Sequence, residues 1–267
     1  MNRKDLRYLS WSLSRASSGT AGSFLKSYEV TQGVKYYYKV SNFDTIRGVY
    51  GHECVNEIVA QNVADILGIP HLRYELLYAD IQIDGKDYVT WLTVSQDFKR
   101  EGEHKLTFET YYEMARQGQE TVWDFILRQG MTVYFYELFL LDYIICNRDR
   151  HGANIEVLER DGQYRLAPVF DNGLSFLFSC YGDGEAMGQA DLMKDGPVNN
   201  YVGSKSLTEN LKKVPLERLR KVRAAEFTPE TVFAGLQGCE DAVPADYWKV
   251  VLKMIRERVG YVEKICN

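Results

Sequence analysis

The chain reads Asn147-Arg148-Asp149-Arg150-His151-Gly152-Ala153-Asn154, and Asp171 follows seventeen residues after Asn154, inside Val169-Phe170-Asp171-Asn172-Gly173. The polar block comes directly after residues 132–146, a helical pattern that is apolar nearly all round and is therefore expected to be buried. Between the two blocks, 153–159 and 163–169 read as short strands joined by Arg160-Asp161-Gly162. A buried helix thus delivers one carboxylate and one amide, and a hairpin returns with a second carboxylate. Transfer of a phosphoryl group from ATP asks for such a set: oxygen ligands for Mg²⁺, a lysine on the phosphates, and a carboxylate beside the attacking hydroxyl. Asp149, Asn154 and Asp171 are the candidate oxygens.

Upstream the pattern is strand-rich. Residues 5–13 read as a strand, 14–23 as a loop of small residues, 24–30 as a strand, 31–33 as a turn and 34–40 as a strand dense in tyrosine. Apolar spacing over 51–68 predicts a helix stopped by Gly68 with Pro70 beyond it. Residues 74–83 and 87–94 form a second hairpin around Asp84-Gly85-Lys86. Downstream, helices are expected over 108–117, 122–129, 207–213, 215–225, 229–236 and 245–265, while 175–205 shows little periodicity and reads as a functional or mobile segment. Strands first and helices later predict an α+β protein with two lobes, a small β-rich lobe at 1–94 and a mainly helical lobe at 95–267, with a hinge near 93–99.

The 147–154 segment resembles the catalytic loop of HipA-like Ser/Thr kinases, Asn-x-Asp-x-His-x-x-Asn. Its Asp-Arg-His triplet is also similar to that of phosphoinositide kinases. Asp171-Asn172-Gly173 stands where protein kinases carry Asp-Phe-Gly. The resemblance implies a bilobed protein-kinase-like fold, Asp149 as catalytic base, Asn154 and Asp171 as Mg²⁺ ligands, and His151 as a support. HipA-like proteins also place Asn-Glu on a helix ending in Leu-Gly, as Asn56-Glu57 and Leu67-Gly68 do here, which makes Glu57 the partner of the phosphate-binding lysine. Lys39, at the end of the third strand, is the first candidate for that lysine and Lys26 the second. Taken alone, Lys39 reads as a solvated strand residue; the order of segments around it favours a ligand. The resemblance covers most of 14–215. HipA toxins carry an extra N-terminal subdomain for which the residues before 14 leave no room, so the likeness is to the kinase core.

The loop residues Ser17, Ser18, Gly19, Thr20, Gly22 and Ser23 are expected to offer backbone N–H groups to phosphates, and serines Ser17, Ser18 and Ser23 are candidates for autophosphorylation. ATP and Mg²⁺ are the expected cofactors and a protein Ser or Thr the expected acceptor. A lipid or small-molecule kinase, or a nucleotide-binding pseudokinase, remains the alternative. The 267 residues carry 32 Lys plus Arg against 37 Asp plus Glu, a net charge of −5 that gives no general footprint for nucleic acid or anionic membrane. Five scattered cysteines read as reduced thiols, and neither a secretory signal nor a membrane span is apparent, so a cytoplasmic protein is expected.

Overall fold

The computed structural model describes residues 3–11, 24–180, 183–244 and 246–266. Its first half holds β1 (Lys4–Asp5), β2 (Lys26–Thr31), β3 (Val34–Val40), β4 (Asn42–Asp44), β5 (Gly48–Tyr50), α1 (Glu53–Leu67), β6 (Tyr74–Ile83) and β7 (Lys86–Gln96). Five of these strands form one sheet in the order β1-β6-β7-β3-β2, in which β1 runs parallel to β6 and the rest are antiparallel. The tyrosine-dense β3 lies inside the sheet, where β-formers with packed faces belong. Its register sets Lys39 opposite Lys26 on one side and Thr93 on the other.

Of the strand expected over 5–13 only Asp5 is in a strand among the described residues, as the second residue of β1. Leu6 and Leu9 are both buried, a three-residue spacing that suits a turn, and Leu9 N–H donates to the Leu6 carbonyl. Residues 12 and 13 lie outside the described residues. The hairpin of β4 and β5 went unread because its strands are three residues each, too short for alternation to show. Helix α1 begins two residues later than read and ends as its sequence signals, with Gly68 in the left-handed region at φ +67.

The second half holds β8 (His104–Thr107), α2 (Phe108–Ala115), α3 (Val122–Arg128), α4 (Thr132–Ile144), β9 (Asp149–Arg150), β10 (Glu156–Arg160), β11 (Gln163–Leu166), α5 (Gly184–Gly188), β12 (Asn199–Asn200), α6 (Leu207–Leu211), α7 (Leu216–Leu219), α8 (Pro229–Val232) and α9 (Tyr247–Ile265). The hairpin is shorter than read at both ends. Gly152–Asn154 form a 3₁₀ turn because the His151 ring accepts from Ala153 N–H, and Pro168 cannot donate to a ladder beyond Leu166. Unread β8 completes a three-stranded sheet in the order β11-β10-β8. The tail helices are also shorter than expected: Ala224–Glu226 is a separate 3₁₀ turn, and Gly235, with φ +75, lies beyond the end of α8. Residues 175–205 are structured where described: Met187 and Val198 are buried, and β12 pairs with β9.

The large core joins α1 to the helices of the second half, while a second core of Leu6, Leu25, Tyr38, Val40, Ile81 and Leu92 packs against the sheet. The five cysteines are free. Among the described residues no helix is long and apolar enough to cross a membrane.

His52, at the N-terminus of α1, is fully buried and lies edge-on to Tyr247 with centroids 4.9 Å apart. Burial pulls its pKa down to about 4, against a hydrogen bond with the Leu177 backbone that pulls up. The unfolded chain takes this proton near 6.5, so stability is lost as pH falls from there towards 4. We expect the loss to reach about 3 kcal/mol at most. Denaturant unfolding at pH 7 and 4.5 checks it: His52→Gln flattens the slope, and an unchanged slope contradicts the assignment.

Candidate active site

The 147–154 loop, α1 and the β3 strand converge on one cleft. Lys39 Nζ donates to Glu57 Oε1 at 2.9 Å and also to Asp171 Oδ1. The Glu57 side chain is wholly buried and that of Lys39 is 12% exposed. Glu57 Oε2 accepts the backbone N–H of Asn172 at 2.8 Å, so one carboxylate ties the strand lysine to the segment that follows β11. Burial alone lowers a lysine pKa, but the charges of Asp171 and Glu57 outweigh it and hold Lys39 firmly protonated. In the same way burial pushes the Asp171 carboxyl up, and Lys39, then Lys26, outweigh it and hold the carboxyl well below its ordinary range.

Asp171 adopts φ +59, the left-handed region. Strain of this kind persists only where neighbours over-determine it. Here the neighbours are the Tyr74 hydroxyl, which accepts Asp171 N–H at 3.3 Å, and the Glu57 contact one residue on. Asn56 adds two more ties, donating to the carbonyls of Gly173 at 2.8 Å and Ser175 at 3.0 Å. Gly173 packs so closely on α1 that a Cβ there would lie 3.1 Å from the Glu53 Cβ and 3.2 Å from the Glu53 carbonyl oxygen. Gly173→Ala should therefore cost about 1–3 kcal/mol. A thermal melt reads this as a fall of several degrees, and an unchanged Tm contradicts the close packing.

On the other side of the cleft, α4 ends and Cys146, at φ +53, turns the chain. Arg150 is 1% exposed; it pairs with Asp142 at 2.8 Å and donates to the Phe170 carbonyl at 2.8 Å and to Asn172 Oδ1 at 2.6 Å. This buried ion pair locks the loop to the 170–172 segment. Asn147 shares the arrangement, donating to Asp142 Oδ1 at 3.0 Å and accepting Asp149 N–H at 3.2 Å. Asp149 is left half-buried, with Oδ1 accepting from Asn199 at 3.1 Å and Oδ2 3.8 Å from His151 Nε2. Asn154 Nδ2 donates to the Asp149 carbonyl at 2.9 Å, and its Oδ1 takes no hydrogen bond among the described residues.

Beside Lys39 and Asp171 is a cavity of about 370 Å³ lined by Lys26, Lys39, Thr93, Phe98, Phe170 and Asp171 among others. The Phe98 and Phe170 rings, 5.7 Å apart, give it an apolar end. The ammonium groups of Lys26, Lys39 and Lys105 and the carboxylates of Glu156 and Asp171 give it its charged lining. Lys26 has no ion pair among the described residues, and burial lowers its pKa while the Asp171 charge opposes. It belongs with Lys39 as a second cation of the cleft. Of the residues singled out from sequence, Lys39, Glu57 and Asp171 are in direct contact, and Asp149 and Asn154 are in contact with each other. Ser17, Ser18, Gly19, Thr20, Gly22 and Ser23 lie outside the described residues. Sequence reasoning missed Tyr74, Asn199 and the joining role of Arg150. The pairing of β9 with β12 alone brings Asn199 to Asp149, and nothing local signals it.

The fold is that of a HipA-like kinase. The chain is similar in structure to the Helicobacter pylori proinflammatory kinase CtkA, with a TM-score of 0.64 and 15% identity over 99% of this chain and 98% of that one. It is also similar to HipA of Shewanella oneidensis MR-1, from a complex of the toxin–antitoxin system HipA and HipB with its operator DNA. There the TM-score is 0.53 and the identity 13%, over 95% of this chain and 67% of that one. No family model and no curated protein matches the sequence.

Proposed function

We propose that the chain is an ATP- and Mg²⁺-dependent phosphotransferase whose acceptor is a serine or threonine hydroxyl of a protein. The observation that carries this is the Lys39 ammonium held between Glu57 and Asp171 at one wall of an open cavity. Lys39 and Lys26 supply the charge that a triphosphate needs, and the Phe98 and Phe170 end suits a flat base. The donor set fits Mg²⁺: the Asp171 carboxylate and the Asn154 amide oxygen are hard oxygens, and among the described residues no cluster of three or more His, Cys, Asp or Glu forms a cage for a metal. Such a sparse set suits an ion that brings phosphate oxygens and water as its remaining ligands.

When bound, Mg²⁺ neutralises charge on the phosphates as the bond to the leaving oxygen breaks. The chain does the rest. Lys39, oriented by Glu57, holds the phosphates; Asn154 and Asp171 hold the metal; Asp149 orients the acceptor hydroxyl and takes its proton. Calorimetry with Mg-ATP tests the first half. Wild type is expected to bind with a measurable Kd, weakened at least tenfold in Lys26→Ala and when Mg²⁺ is removed. Binding of equal strength in all three cases would count against the site.

A further inference from the structure

A second cavity, of about 190 Å³, lies between the end of α1, the middle of α4 and residues 214–227, and it shares no lining residue with the first. Its floor belongs to the core: Ile69, Leu140, Val222 and Phe227 are each 6% exposed or less. Its rim is charged, with the cations Arg218, Lys221 and Arg223 and the carboxylates Glu137 and Glu226. Close-packed interiors leave few spaces of this size, and an apolar cavity of about 150 Å³ accepts benzene.

The rim does not neutralise itself. Arg218 pairs with Glu137 at 3.2 Å. Lys221, Arg223 and Glu226 have no ion pair among the described residues, which sets two cations against one carboxylate. Arg223 is held in place by backbone: its Nη1 donates to the carbonyl of Arg220 and, at 3.0 Å, to that of Val222. Carbonyls fix a guanidinium without cancelling its charge. The surrounding segment is strongly basic, since residues 212–223 hold six Lys and Arg and one Glu in a protein of net charge −5. Such a local field draws anions. One unbalanced positive charge calls for one negative charge on the guest, and the floor calls for an apolar body.

We propose that this cavity binds a small apolar carboxylate, a monoanion with a ring or short chain of about six to eight carbons. Its carboxylate sits on Lys221 and Arg223 and its body on Ile69, Leu140 and Phe227. The wall that the guest completes is the end of α1, the helix that carries Glu57. There Gly68 N–H donates to the Asp65 carbonyl at 3.0 Å and Ile69 N–H to the Ala64 carbonyl at 2.9 Å. A guest against Leu67 and Ile69 braces these two bonds.

The test is calorimetry on the full chain with phenylacetate as the probe. Beside it stand 2-phenylethanol, which keeps the body without the charge, and free phenylalanine, which adds an ammonium group. Phenylacetate is expected to saturate one site with a Kd below about 1 mM, within reach of a ligand of about ten heavy atoms. Phenylethanol on the wild type, and phenylacetate on Lys221→Gln or Arg223→Gln, should bind about tenfold more weakly, the loss expected when a hydrogen bond to a charged group is removed. Phenylalanine, with no net charge, should also bind more weakly. Both substituted residues are exposed, so the variants are expected to fold. With phenylacetate bound, hydrogen exchange at Gly68 and Ile69 should slow several-fold. Absence of saturable binding, equal affinity for phenylacetate and phenylethanol, tighter binding of phenylalanine, or unchanged affinity in both variants would each overturn the proposal. No turnover is read, so absence of phosphotransferase activity leaves this result intact and counts only against the reading above.

Discussion

Lys39→Met is expected to cost about 3–5 kcal/mol of stability and to reduce phosphoryl transfer at least a hundredfold. The methionine fills much of the lysine's volume, so the loss is electrostatic. Glu57 and Asp171 would face each other across a buried space with only the more remote charges of Lys26 and Arg150 acting on Asp171. An unpaired buried carboxylate is costly, more so than the pair it came from is favourable. The pH dependence separates this from a packing defect. In wild type the depressed Asp171 carboxyl contributes stability that is present above its ordinary value near 3.8 and is lost as pH falls through its folded value. Without Lys39, burial raises the carboxyl instead, so the deficit should be greatest at pH 7 and shrink towards pH 5 as a proton takes the lysine's place. A deficit of constant size across that range would contradict the account.

Asp149→Ala is expected to lower kcat by roughly 10³-fold, on the order of 4 kcal/mol of transition-state stabilisation. Stability should hardly change, because Asp149 is half-buried and its Oδ1 contact, from Asn199, is a single exposed hydrogen bond. Nucleotide affinity should also be kept, since the cations and the metal oxygens lie elsewhere. The contrast with Lys39→Met, which strikes stability and activity together, distinguishes a group that acts on the acceptor from one that organises the cleft. Retention of more than about a tenth of wild-type turnover would refute the role given to Asp149.

What could be read from sequence follows from which interactions are local. Helix α1 carried its own apolar spacing and glycine stop, and β3 its alternation, so Glu57 and Lys39 could be placed on the right elements from residues alone. That the two side chains meet depends on α1 packing beneath the sheet, which no local pattern specifies. The buried face of α1 also holds Glu53, Asn56 and Glu57, all under 3% exposed. A polar run of that kind reads as a solvated edge until the 171–175 segment is seen to cover it. Arg150 is the sharpest case. Nothing local signals that it is an interior strut between Asp142, Phe170 and Asn172. The two-residue strands β9 and β12 and the turn at Leu6 to Leu9 were hidden for a simpler reason: two or three residues are too few for a period to register.

The central claim is that this cleft moves a phosphoryl group. Purified protein incubated with Mg-ATP and a mixture of serine- and threonine-containing peptides, with Asp171→Ala in parallel, tests it most directly by intact mass and peptide mapping. The account predicts phosphate on the protein or on a peptide hydroxyl in wild type, and on neither in the variant. ATP that binds with no phosphate transferred to any acceptor would contradict it, and would mark the chain as a nucleotide-binding module that keeps the kinase fold.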